Sequence, residues 1–187
     1  LHDALPIYSV NMGGLPRAVT IQAEELLPAK PFQAFQPLAA GDCFDLGGVT
    51  VKVFRGAGHT PGCLTALIPE LRTFILGDAC NHFTYLFDAY TSPVEAYLEM
   101  LTALKAETDG LYDRVLVCHG PFGEAAPAMI DSVMAVCRDI LDGKADNMPF
   151  RGPRGEKVFI AKAMDFNTFT RIDGGSGNVV YDPEKIR

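Results

Sequence analysis

Hydrophobic positions along this chain switch repeatedly between two periods. From Val49 to Val53 apolar and polar side chains alternate, Val49, Val51 and Val53 being set between Thr50 and Lys52. Period two predicts a strand with one face buried. Gly47-Gly48 just before it supplies a turn, so GDCFDLGGVTVKVFR is expected to form a hairpin. CLTALI and RTFIL, separated by Pro69-Glu70, are two further short strands. The period then lengthens, and Val94, Tyr97, Leu98, Leu101 and Leu104 fall on one stripe of a helix. Its start is expected at Ser92-Pro93-Val94-Glu95: Ser92 caps, Pro93 takes the first helical position and Glu95 completes a capping box.

The alternation of strand and helix continues. Arg114 to Cys118 is an apolar strand ending in His119-Gly120-Pro121. A second helix begins near Pro127, with Ile130, Val133, Met134, Cys137, Ile140 and Leu141 on its apolar face and Gly143 at its C-cap. Residues 143 to 156 are expected to be a polar loop. VFIAKA, a run from about Phe166 to Ile172, and NVVY then read as closing strands, with GGSG as the last turn. At the other end, residues 8 to 14 are expected to be a polar loop closed by Gly13-Gly14. A short strand follows around Ala18 to Ile21, with one helical turn behind it. Pro28, Pro31 and Pro37 make residues 28 to 40 an extended connector. The fold class implied is mixed α/β (α+β), with helices packed on sheet.

Composition narrows the partners more than the fold. A length of 187 residues fits one domain, and 48% hydrophobic with 21% charged residues is ordinary for a globular chain. The net charge of -7 and the lack of a basic run argue against nucleic acid. The five cysteines, at 43, 63, 80, 118 and 137, form no CxxC pair, which implies a reduced protein rather than a disulfide scaffold. Cys43, Cys63, Cys80 and Cys137 are expected to be small buried hydrophobes. No apolar run reaches a membrane-spanning length and no signal peptide is visible, so a soluble, cytoplasmic protein is expected. The opening LHDALPI resembles translated adapter sequence, and residues 1 to 7 are expected to be non-native.

Three residues stand where chemistry collects. His59 lies in a loop bracketed by Gly56, Gly58, Pro61 and Gly62. Asp78 follows Gly77 at the end of the run from Phe74 to Leu76, where an ordinary turn aspartate is the alternative. His119 ends the strand after Cys118. Two imidazoles and a carboxylate at strand ends are donors that suit zinc, and iron or manganese in related sites. Cys118 beside His119 is poorly placed for a nucleophile dyad, because adjacent strand residues point to opposite faces. His82, four residues after Asp78, is expected to be a loop histidine near the surface, with a place in the lining of the site as the alternative. Gly174, Gly175 and Gly177 have no helix start behind them and read as a turn rather than a phosphate loop.

The series GHTPG, a strand-terminal GD, a helix and a strand ending in HG resembles the metallo-β-lactamase fold superfamily, in particular its glyoxalase II-like metallo-hydrolases. GDACN, YLF and GNVVY resemble the same branch, and the likeness runs from about Gly13 to the C-terminus. It implies a single domain over residues 1 to 187 with the partial αββα sandwich of that family, mainly its C-terminal part. It also implies one or two metal ions (zinc, with iron or manganese as alternatives), with His59 on the first, Asp78 bridging and His119 on the second. The expected activity is hydrolysis of an ester, thioester, lactone or related bond of a small molecule by a metal-activated water. A homodimer is one of the assemblies left open.

One departure qualifies this. The family's HxHxDH motif lies shortly before a Gly-Gly that resembles Gly13-Gly14, but the window here is Tyr8-Ser9-Val10-Asn11-Met12. His2-Asp3 falls too far upstream to substitute. The chain is therefore expected to be incomplete at its N-terminus, to bind metal weakly and to catalyse poorly. The alternative is a non-catalytic module that kept the sandwich for binding or regulation.

Overall fold

The computed structural model describes residues 8–11, 16–19, 31–119, 123–152 and 154–187. The chain divides into two compact units, residues 1–37 and 38–187. In the first unit β1 (Tyr8–Asn11) pairs antiparallel with β2 (Pro16–Val19), so Tyr8–Asn11 is strand where a polar loop was expected. The expected helical turn after Ile21, and Gly13-Gly14, lie outside the described residues.

The second unit is built on a six-stranded sheet. Its strands are β3 (Cys43–Asp45), β4 (Thr50–Arg55), β5 (Leu64–Ile68), β6 (Thr73–Gly77), β8 (Arg114–Val117) and β9 (Glu124–Ala125), in that spatial order. The predicted β3–β4 hairpin is present, closed by Leu46 N–H donating to the Val49 carbonyl at 2.8 Å. Leu67, Phe74 and Val115 are in register and fully buried on one face. Val53, Ala66, Ile75 and Leu116 are in register on the other, where Ile75 is exposed.

Helix α1 (Val94–Thr108) buries Val94, Tyr97, Leu101, Leu104 and Thr108, the three-and-four spacing read from the sequence. Its start differs from the expected capping box. Pro93 is the N-cap, with extended backbone, and no side chain caps the helix. Tertiary partners take over this role: Ser92 N–H donates to the Gly58 carbonyl and Glu95 N–H to that of Ile186. Helix α2 (Met129–Leu141) buries its apolar stripe beside α1. Gly143 follows its end at φ 70°, the left-handed turn that suits glycine.

A second sheet of four strands runs β10 (Met148–Arg151), β11 (Lys157–Ile160), β14 (Val179–Tyr181), β7 (Thr84–Leu86). Strand β10 occupies part of the expected polar loop at 143–156. Its side chains alternate between half-buried and exposed, a pattern that Pro149 and the flanking charges hide. Val179 and Tyr181 join the core formed by the helices and the six-stranded sheet, while Val180 faces Phe87, Val158, Ile160 and Met164 in a smaller core. A short hairpin, β12 (Met164–Asp165) with β13 (Thr170–Arg171), precedes β14. Two helices packed against sheets confirm the mixed α/β class. All five cysteines are free, but of the four expected to be buried Cys63 is only half-buried and Cys43 is exposed, since β3 is an edge strand. No helix among the described residues is long and apolar enough to cross a membrane.

Candidate functional site

Strand direction brings the three singled-out residues together. β4 and β6 are each antiparallel to β5, and β8 is parallel to β6, so β4, β6 and β8 all end at one edge of the sheet. The His59 loop, Asp78 and His119 follow those three ends. A register shift between Ile75 and Gly77, with Gly77 at φ 57°, turns the chain out of the ladder before Asp78. A cavity of about 760 Å³ opens there, and His59, Asp78, His119 and His82 all line it.

The His59 loop is held from behind by α1. A Cβ on Gly58 would overlap the Tyr97 ring, and one on Gly56 would come within 2.7 Å of the Ala79 Cβ. These two glycines are therefore required for close approach. Tyr97 is fully buried and its hydroxyl donates to the Ala79 carbonyl at 2.7 Å, one residue past Asp78. One side chain thus braces two of the three functional loops. Burial holds the Tyr97 phenol well above its ordinary pKa.

The polar atoms of the site have defined partners. His59 Nδ1 lies 2.9 Å from the Tyr85 carbonyl. A carbonyl only accepts, so the proton sits on Nδ1 and Nε2 carries the free lone pair. Asp78 Oδ1 accepts from Asn81 Nδ2 at 3.1 Å and lies 3.0 Å from His119 Nε2. Asn81 is buried, and its own Oδ1 accepts from Phe83 N–H at 2.8 Å. His119 is the most exposed of the group, with its side chain 71% accessible.

Among the described residues no group of three or more His, Cys, Asp or Glu side chains could hold a metal ion. A catalytic zinc takes three protein ligands and a water. Asp78 and His119 are in contact and His59 shares their cavity, but the described donors do not close a set. Cys118 is exposed, and burial of its sulfur raises its pKa, so it is not an activated thiol.

His59, Asp78 and His119, read from the sequence as following strand ends, come after β4, β6 and β8. His82, expected to be a loop residue near the surface with the site lining as the alternative, is half-buried in the cavity wall, as the alternative has it. Asn81, Tyr85 and the Met164–Arg171 hairpin were missed. The GDACN segment carried the signal for Asn81; an amide three residues after a strand-end aspartate reaches back to it.

No protein-family model matches the sequence, and no curated protein matches it. Solved structures to which the chain is similar include a metallo-beta-lactamase from Pontibacter korlensis, at TM-score 0.44 and 16% identity over 52% of this chain and 46% of that one. A metallo-beta-lactamase superfamily protein from the archaeon Sulfolobus tokodaii has TM-score 0.41 and 18% identity, over 63% of this chain and 43% of that one. The metallo-beta-lactamase IND-7 has TM-score 0.42 and 18% identity, over 50% of this chain and 43% of that one. The chain spans less than half the length of each.

Proposed function

We propose that this chain carries part of the site of a metal-dependent hydrolase, with His59, Asp78 and His119 as metal donors. One observation carries the reading: three strand ends deliver these side chains to one cavity, with Asp78 and His119 already 3.0 Å apart. The motif series that resembles the metallo-β-lactamase superfamily leads to the same residues. A zinc, iron or manganese ion in such a setting supplies Lewis-acid activation of water and of a carbonyl.

The chain's own residues prepare that setting. The Tyr85 carbonyl fixes the His59 tautomer with Nε2 free, and Asn81 orients the Asp78 carboxylate. The overall reaction on an ester, thioester or lactone joins the oxygen of water to the acyl carbon and breaks the acyl–oxygen or acyl–sulfur bond. A carboxylic acid and an alcohol or thiol are the products, joined in one molecule when the substrate is a lactone. Zinc titration calorimetry on the purified chain tests the donor assignment. Binding no tighter than about micromolar is expected from an incomplete set, with the heat abolished by Asp78→Ala or His119→Ala. Binding unaffected by these and by His59→Ala would overturn it.

The lack of a three-donor group among the described residues favours a second reading, a non-catalytic binding module. Hydrolysis of p-nitrophenyl acetate in excess zinc separates the two. Turnover above the free-zinc rate that disappears in Asp78→Ala supports the enzyme; metal binding with no turnover supports the module.

A further inference from the structure

Much of the cavity has a different chemistry from its donor edge. Phe83, Tyr85, Met164 and Phe169 line it, and Arg171 is its one Lys or Arg side chain among the described residues. That guanidinium is not available to a ligand. Its Nε donates to Asp173 Oδ1 at 2.8 Å, Nη2 pairs with the same carboxylate, and Nη1 donates to the Gly177 carbonyl at 2.9 Å and to Ser132 Oγ at 3.1 Å. Only 7% of the side chain is accessible. The carboxylates on the cavity, Asp78 and Glu124, add negative charge, that of Glu124 being offset by Arg114.

The hairpin tip is built at a conformational cost. Phe169 has φ 56°, the left-handed region that a bulky side chain rarely adopts, yet its side chain stays largely exposed at the cavity. It stacks edge-on against Phe166, centroids 6.3 Å apart at 84°, also exposed. The tip is otherwise pinned, with Asn167 N–H on Asp165 Oδ1 and Thr168 Oγ1 2.7 Å from Thr170 Oγ1. A strained, exposed aromatic on a pinned turn gains nothing for folding, and such strain collects at ligand clamps.

We infer that the Met164–Arg171 hairpin binds the aliphatic or aryl part of an uncharged carbonyl compound, which narrows the hydrolase substrate to neutral esters or lactones. This narrowing rests on the hydrolase reading; the ligand preference itself does not. A 760 Å³ cavity holds a molecule of this kind, and among the described residues its lining has no free Lys or Arg to receive a phosphate or carboxylate.

The test is displacement of the neutral fluorophore N-phenyl-1-naphthylamine from the 187-residue chain at pH 8 in EDTA, where no metal contributes. δ-Decalactone is compared with its ring-opened 5-hydroxydecanoate, which differs by one water and a charge. The lactone is expected to compete at least about tenfold better, and Phe169→Ala to weaken it about tenfold. Phe169→Leu should retain most of the affinity, and Ile172→Ser, an exposed residue of the next turn outside the cavity, should retain all of it. Equal or tighter binding of the carboxylate, or no effect of Phe169→Ala, overturns the inference. Because the assay needs no metal, a failed zinc titration with preserved lactone selectivity defeats only the hydrolase reading. The reverse outcome defeats only this one.

Discussion

The two walls of the cavity are held in opposite ways. The donor wall is braced from inside: Tyr97 is fully buried against the His59 and Asp78 loops, and buried Asn81, which also lines the cavity, bonds the Asp78 carboxylate and the Phe83 N–H. The Met164–Arg171 hairpin is tied at its base, by Arg171 to Ser132 and Gly177 and by Met164 in the smaller core. Its tip is held by its own turn and displays its aromatics to solvent. Groups that must meet at fixed distances need a packed second layer, whereas an apolar contact surface needs area and little direction. Changes behind the first wall should therefore cost stability and site geometry together. Changes in the second should separate them.

The largest effect is expected from Tyr97→Ala, which removes a fully buried ring and a hydrogen bond and should destabilise the fold by about 3–5 kcal/mol in denaturant titration. Tyr97→Phe isolates the hydroxyl; leaving the Ala79 carbonyl unpaired should cost about 1–3 kcal/mol. If the hydroxyl variant matched the wild type, the brace between the His59 and Asp78 loops would be packing alone. Next in size is Gly58→Ala, whose methyl overlaps the Tyr97 ring, with an expected loss of about 1–3 kcal/mol.

The same core sets an alkaline limit. Burial pushes the Cys80 thiol up to about 12 from an ordinary 9.0, and the Cys137 thiol and Tyr97 phenol shift upward for the same reason. The folded chain keeps these protons where the unfolded chain releases them. The Cys80 contribution is complete below pH 9 and is lost as pH rises through 12. Melting temperature should fall across that window, and Cys80→Ala should flatten the fall. The smallest change is expected in the hairpin: Phe169→Gly relieves the left-handed backbone and should leave stability unchanged or raised by up to about 1 kcal/mol, while lactone binding weakens. A stability loss at Tyr97 and Gly58 with none at Phe169 is the expected contrast.

Much of the donor wall was legible in the sequence because it rests on local signals. Alternation marked β4, glycines marked the tight His59 loop, and apolar runs ending in Gly77-Asp78 and His119 marked strand ends. The helical stripe of α1 was equally plain, but its first residue was not. Ser92 is committed to the Gly58 carbonyl, a partner more than thirty positions away that no local motif reveals. The recognition wall was hidden for the same reason. β7 is three residues long and gains its place by parallel pairing with β14 almost a hundred residues later. The strands of the Met164–Arg171 hairpin are two residues each, too short to show a period. HxHxDH is missing from the Tyr8–Met12 window, and the structure adds no group of donors elsewhere among the described residues to replace it.

In the proposed site His59 has Nε2 free, whereas His119 Nε2 faces the Asp78 carboxylate, which only accepts, and has to release its proton to bind zinc. Long-range proton–nitrogen NMR of the histidine rings during zinc titration tests this donor assignment. Zinc should move the Nε2 signals of both His59 and His119, with His59 Nδ1 remaining protonated on the Tyr85 carbonyl, and Asp78→Ala should suppress the His119 response. Nε2 signals that stay in place for both residues at saturating zinc would contradict the account.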